Sequence, residues 1–206
     1  MDGDTVDVSN RHRQILYHTP DIGRLKVVAA ADRLAARYPA VAVHRLAQRL
    51  TADNAADIVA HYDFVIDATD GIASKYLIND AAVLARVPFS HAGVFALQGQ
   101  TMTVVPGRSA CLRCLFPTPP AAGDVPTCQE AGVLGSIVGS IGVLQATEAL
   151  KYFLGLGGLL SNRLLTYDAA STRWREVALA RRRDCALCGD RPTIRAPLAL
   201  AGGTCA

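Results

Sequence analysis

At 206 residues with a net charge of +3, half of them hydrophobic and 19% charged, the chain has the composition of a globular domain and not of a disordered segment. The weak charge gives no support to a nucleic-acid surface: Arg181-Arg182-Arg183 and the stretch from Arg11 to Arg13 cluster without interleaved aromatics, as a solvated face does. The polar, acidic start has no signal-peptide pattern, and the longest apolar run, AGVLGSIVGSIGVLQA, stops short of a membrane span, so a cytoplasmic protein without membrane contact is expected.

The chain opens on Asp2-Gly3-Asp4-Thr5-Val6, a strand-like run with an acidic pair, which is what one meets halfway through a nucleotide-binding unit. GRLKVVAAADRLAARYP carries helical periodicity and is stopped by Pro39. VAVHRLAQRL alternates like a strand, and TADNAADIVAHY predicts a short helix with a Thr or Asp cap. DFVIDAT reads as a buried parallel strand, followed by the helix IASKYLINDAAVLARV and the strand PFSHAGVF. QGQTMTVVP is a further strand that follows at once, so some antiparallel pairing enters. Residues 106–130 read as a long functional loop, and a long helix from about Ala131 to Leu154 ends at Gly155, Gly157 and Gly158. RLLTYDAASTRWREVALA is a hairpin-like pair of strands, and residues 190–206 are expected to be a disordered tail. The alternation describes an α/β, Rossmann-like mixed sheet with helices on both faces, in one domain over residues 1–189.

The strongest chemical signal is Cys111-x-x-Cys114 paired with Cys185-x-x-Cys188. Two such knuckles bring four thiolates around one tetrahedral zinc, and with no spare ligand position the metal would be structural, stapling the mid-chain loop to the C-terminal segment. Two redox pairs or buried free thiols are the bland alternative. In VIDATDGIASK, Asp70 follows a parallel strand and precedes a helix, where doubly wound sheets bind ligands. There it either holds Mg²⁺ against nucleotide phosphates, or Asp70 or Asp67 caps the helix. Arg13 and Lys26, with Asn10 and Gln14 beside them, supply a guanidinium and an ammonium that could clamp a triphosphate; alone they would be surface charges. Asp2 is placed to bond a ribose hydroxyl, although the Gly-rich loop that lies some 20 residues upstream in that pattern is not in this sequence.

Together these motifs resemble the ThiF/MoeB/HesA family, bacterial relatives of ubiquitin-activating enzymes. The match runs from residue 2 to about Gly189 and includes DGDTVDVSNRHRQILY, GRLK, DATD, CLRCLFP, TCQEAGVLGSIVGSIGVLQATEALK and CALCG. The resemblance implies an enzyme that uses MgATP to adenylate the C-terminal glycine of a ubiquitin-like sulfur carrier with a Gly-Gly terminus, in thiamine or molybdenum-cofactor biosynthesis. Asp2 is then the ribose contact, Asp70 the Mg²⁺-binding carboxylate, Arg13 and Lys26 the phosphate clamp supported by Asn10 and Gln14, and the four knuckle cysteines the Zn²⁺ ligands. A homodimer and a separate sulfur donor, a cysteine desulfurase or a rhodanese, are implied as partners. Cys128 in PTCQEAG stands where ThiF-like members have a cysteine that can take part in sulfur transfer; the alternative is a loop cysteine with no chemical role, and Cys205 is incidental.

The sequence departs from the family pattern at Gly71 (usually Asn), at Arg11-His12 (usually Leu-Gln) and at Lys75, a position often held by Arg. The family's first helix, first strand and G-x-G-x-x-G loop have no counterpart here, so the chain is expected to be N-terminally truncated and its sheet to lack a central strand. Two rivals remain: a non-catalytic zinc-stapled module that binds a carrier or partner without activating it, and an NAD-dependent oxidoreductase resting only on the strand–helix alternation.

Overall fold

The computed structural model describes residues 1–120 and 132–199, and the chain falls into two units, Met1–Leu50 and Thr51–Ala206. The first unit is organised around α1 (Lys26–Arg37), which buries Val27, Ala29 and Ala31 on one face. It ends where Tyr38 meets Pro39, because the proline ring drives the preceding residue out of helical geometry. The opening run is less regular than its sequence suggests. Its one ladder contact is the antiparallel bridge Thr5↔Leu25, flanked by Val6 N–H to Arg24 O at 2.8 Å and Lys26 N–H to Asp4 O at 2.9 Å. Nor do residues 41–50 form the expected strand. With no strand partner for its backbone among the described residues, the alternation of VAVHRLAQRL leaves Val41 and Val43 exposed, and the segment is tied by Leu46, whose carbonyl accepts from Asp2 N–H at 3.1 Å.

The second unit is a five-stranded sheet in the order β1 (Val65–Ile66), β2 (Phe89–Phe95), β3 (Gln98–Val104), β4 (Arg163–Asp168) and β5 (Arg173–Ala178). β1 runs parallel to β2 and all other pairings are antiparallel. The expected change from parallel to antiparallel pairing therefore falls between β2 and β3. β1 is two residues long and its Ile66 is 45% exposed, so the expected buried strand is a short, half-covered one. Among the described residues it has a neighbour on one side only.

Helix α2 (Ala52–Val59) starts in a capping box in which Thr51 and Asn54 satisfy each other's backbone N–H groups. It packs against α3 (Ile72–Ala85), which in turn contacts β2. A one-turn helix, α4 (Leu112–Leu115), interrupts the mid-chain loop. α5 (Gly135–Leu154) lies across β2 and β3 and stops at Gly155, whose left-handed φ of 63° a glycine adopts without strain. The expected start of this helix, at Ala131, lies outside the described residues.

α5 is keyed to the sheet by polarity and by shape. Buried Glu148 accepts from Thr103 Oγ1 at 2.6 Å and Leu160 N–H at 2.7 Å, and pairs with Lys151 at 2.5 Å. Ile137 and Ile141 pack with Ala92 against the face of the sheet. They pass so close to Gly99 that a Cβ there would lie 2.6 Å from Ile141 Cγ1 and 3.3 Å from Ile137 Cγ2. Gly99→Ala should therefore lower stability by about 1–3 kcal/mol by overpacking, read as a lower denaturation midpoint at an unchanged m-value.

Candidate functional site

Each unit carries some of the residues singled out in the sequence. In the first, Asp7 caps the 3₁₀ turn Val8–Asn10 by accepting from Ser9 N–H at 2.7 Å. The chain then folds back so that Arg13 N–H and Gln14 N–H both reach Asn10 O, at 3.1 and 2.9 Å. The Arg13 guanidinium donates to Asn10 Oδ1 and, at 3.5 Å, to Ser9 O. Asn10, Arg13 and Gln14 thus form one turn, and Gln14 Oε1 is buried there with no partner among the described residues. Lys26, at the start of α1, is 7% exposed, and its ammonium lies 3.5 Å from Asp4 Oδ2 and 3.8 Å from Asp2 Oδ2. Arg49 reaches the other oxygen of Asp4 at 2.6 Å. Asp2 and Lys26 therefore share one cluster, which also contains Asp4, a residue sequence reasoning did not single out.

In the second unit the sheet's parallel edge leads into the turn that carries Asp70. Asp70 is exposed and has no partner among the described residues, so its carboxylate is free for a cation, and α3 begins after Gly71 without a side-chain cap. The carboxylate that is buried is Asp67. It accepts from Thr69 N–H at 3.1 Å, Thr69 Oγ1 at 2.6 Å, His91 Nδ1 at 3.0 Å and the Lys75 ammonium at 3.4 Å. Burial alone would raise its pKa; the Lys75 charge and the hydrogen bonds from His91 and Thr69 outweigh that and hold it at about 2. His91 is pushed below the ordinary histidine range by burial, against the pull of Asp67. Gln145, from α5, donates to Asp67 O at 2.9 Å and Ser90 O at 3.0 Å, clamping β1 and β2 together.

The two cysteine knuckles meet as their spacing implied. All four sulfurs lie within 4.8 Å of one another, with Cys111 and Cys114 at 4.0 Å, Cys111 and Cys185 at 3.7 Å, and Cys114 and Cys188 at 3.3 Å. Four thiolates at tetrahedral Zn–S distances stand about 3.8 Å apart, so the donor set fits zinc. Arg182 N–H points at Cys114 Sγ from 3.4 Å. A second feature, hidden in the sequence, braces the first knuckle. Arg113, between its two cysteines, makes a buried two-pronged ion pair with Asp80 of α3, both bonds 2.7 Å, and lies over the Tyr76 ring. Beyond the second knuckle, Gly189 N–H bonds to Cys185 O, Asp190 N–H to Arg183 O, and Thr193 and Ile194 N–H to Ala186 O, so the start of the expected tail is tied down. Cys128 and Cys205 lie outside the described residues.

The model of the ThiF family matches residues 1–188. The chain belongs to the ThiF family. Among its relatives, the sulfur carrier protein adenylyltransferase of Thermus thermophilus is 44% identical over 93% of this chain and 73% of its own length. The SAMP-activating enzyme E1 of Haloferax volcanii is 38% identical over 92% of this chain and 70% of its own. The adenylyltransferase and sulfurtransferase MOCS3 of Culex quinquefasciatus is 42% identical over 94% of this chain, which spans 44% of that protein. In fold, the chain resembles E. coli MccB crystallised with MccA-N7isoASN, with a TM-score of 0.77 over 91% of this chain and 58% of MccB at 17% identity. Among the described residues no helix is long and apolar enough to cross a membrane.

Sequence reasoning did not find the Asp67–Lys75–His91–Gln145 network. Lys75 showed only as a departure from the ThiF-family pattern, while His91 and Gln145 carry no signal beyond being polar residues in apolar elements.

Two outcomes follow from this geometry. A Cβ on Gly189 would sit 2.4 Å from Cys185 O and 2.6 Å from Arg183 O, both backbone atoms, so Gly189→Ala should spread the second knuckle. A protein that retains one equivalent of zinc by metal analysis should then lose it to a mild chelator roughly 10-fold or more faster. The pKa shifts set acid stability. His91 and Asp67 both have depressed values, so each contribution is present at neutral pH and lost as pH falls. Denaturation midpoints should decline first below the ordinary imidazole range, as the unfolded state takes up the His91 proton. They should decline again between about pH 4 and pH 2, where protonation of Asp67 removes roughly 2 kcal/mol. His91→Asn should abolish the upper stage only.

Proposed function

We propose that this chain adenylates the C-terminal glycine of a ubiquitin-like sulfur-carrier protein at the expense of ATP. The single observation that carries the reading is the ThiF-family match over residues 1–188, with 44% identity to a sulfur carrier protein adenylyltransferase across nearly the whole chain. The charges support it: a buried ammonium at Lys26, a guanidinium at Arg13 and a carboxylate at Asp70 with no partner among the described residues suit a nucleotide with its divalent cation.

In this reading the carrier carboxylate attacks the α-phosphorus of ATP, a carboxylate–phosphate bond forms, and pyrophosphate leaves. Charge builds on the phosphate oxygens, and Lys26 and Arg13 neutralise it, with Asn10 and Gln14 orienting the turn that presents Arg13. Lys26 exchanges its carboxylate partners for phosphate oxygens, and Asp2, released from it, accepts from a ribose hydroxyl. Asp70 holds Mg²⁺, which when bound screens the phosphates. No proton-transfer residue is required, since a carboxylate is the nucleophile and pyrophosphate the leaving group. A Gly-Gly carrier terminus fits because residues without side chains thread a narrow channel. The cysteine cluster holds a structural Zn²⁺. The protein works as a cytoplasmic homodimer with a separate sulfur donor, a cysteine desulfurase or a rhodanese. Thiamine-type and molybdopterin-type carriers both fit, and Cys128 is a candidate for sulfur transfer to the carrier.

The test is ATP–pyrophosphate exchange with purified Gly-Gly carriers. Exchange should require the carrier, vanish when its last two glycines are removed, and fall roughly 10²-fold in Asp70→Asn and Lys26→Ala. Absence of exchange with every carrier would transfer the chain to the alternative reading, a zinc-stapled module that holds a carrier without activating it.

A further inference from the structure

Lys75 stands one helical turn into α3, pointing back under the turn that carries Asp70. Its ammonium has three N–H donors and no acceptor. They meet Thr69 O at 2.5 Å, Ala92 O at 2.5 Å and the Asp67 carboxylate at 3.4 and 3.5 Å. Its side chain is 13% exposed and that of Asp67 is fully covered. Thr69 is therefore held twice: its N–H and hydroxyl bond to Asp67, and its carbonyl accepts from Lys75. Asp70 is the next residue. Its side chain has no partner among the described residues, and Gly71, the N-cap of α3, offers no side chain to hold the turn. The direction of the Asp70 carboxylate thus depends on Thr69 before it, whose anchors among the described residues are Asp67 and Lys75.

We infer that Lys75 is a positioning residue for Asp70, fixing the Thr69–Asp70 turn against β2 so that the Asp70 carboxylate presents one geometry to a divalent cation. This rests on the adenylation reading for the identity of the cation's nucleotide, but the geometric claim concerns the turn alone. One ammonium serves as the junction of three backbone segments: the end of β1 through Asp67, the turn through Thr69, and β2 through Ala92. Lys75 touches neither substrate nor metal, and it acts through Asp70.

Two measurements on the full chain decide it. The first is amide hydrogen exchange in wild type, Lys75→Met and Lys75→Arg. In Lys75→Met the amide of Thr69, which is bonded to Asp67 Oδ1, should exchange about 10-fold or more faster while those of β2 and β3 are unchanged, and Lys75→Arg should restore protection. An unchanged Thr69 amide, or equal loss of protection across the sheet, would overturn the inference. If Lys75→Met does not fold, Lys75→Gln, which keeps donors without the charge, is read in the same way.

The second is carrier-dependent ATP–pyrophosphate exchange. Lys75→Met should lower kcat roughly 10²-fold and raise the apparent Mg²⁺ constant, with the KM for ATP within about 2-fold. In an Asp70→Asn background it should cost nothing further. Losses that multiply would mean that Lys75 acts independently of Asp70, which defeats the claim. A wild-type chain without exchange defeats the adenylation reading instead, and the amide measurement still decides the role of Lys75.

Discussion

An ionised carboxylate sealed from water at the end of a parallel strand is tolerated only if every lone pair finds a donor, and Asp67 imposes that requirement on the second unit. Its partners come from four places in the chain: Thr69 in the adjoining turn, Lys75 in α3, His91 in β2, and Gln145 in α5 through the backbone carbonyl. Each contact constrains an element. Lys75 ties α3 to the strand end, and His91 ties β2 to it. Gln145 fixes the rotation of α5, which Glu148, three residues on, fixes again through Thr103 of β3. The apolar core of Phe89, Met102, Ile137 and Ile141 supplies most of the driving force, but it tolerates small slips that these charged contacts do not.

The same arrangement separates two carboxylates that the sequence presents as near equals. Asp67 and Asp70 are three residues apart in VIDATDG, and either could cap the helix that follows. In the structure neither does. Asp67 faces inwards and is saturated, whereas Asp70 is exposed and its oxygens have no partner among the described residues. A buried, fully donated carboxylate is a poor ligand for a metal, since binding would break the bonds that keep it ionised. An exposed one on a rigid turn has little to lose.

What the sequence disclosed and what it hid divide along physical lines. Helical periodicity placed α1, because burying a stripe along a helix leaves a local pattern. The cysteine knuckles were legible because thiolates at two-residue spacing have few other uses. Of the segments that read as strands, VAVHRLAQRL is one in pattern only, and DFVIDAT forms the expected parallel strand over two residues alone. A strand is made by its neighbours, and alternation cannot report whether a neighbour exists. Lys75, His91, Gln145 and Arg113 were hidden for the opposite reason: each is a single polar residue whose meaning comes from a partner up to 78 positions away.

The knuckles are also far apart: the residues that meet, Cys111 with Cys185 and Cys114 with Cys188, are 74 positions apart. A metal held by all four closes a loop that contains α5 and the whole β4–β5 hairpin. Unlike a covalent crosslink, that closure exists only while the fold holds the four sulfurs together. The ion's binding energy is then part of the folding energy, and the stability of the hairpin end of the sheet would rise and fall with the free metal around the molecule.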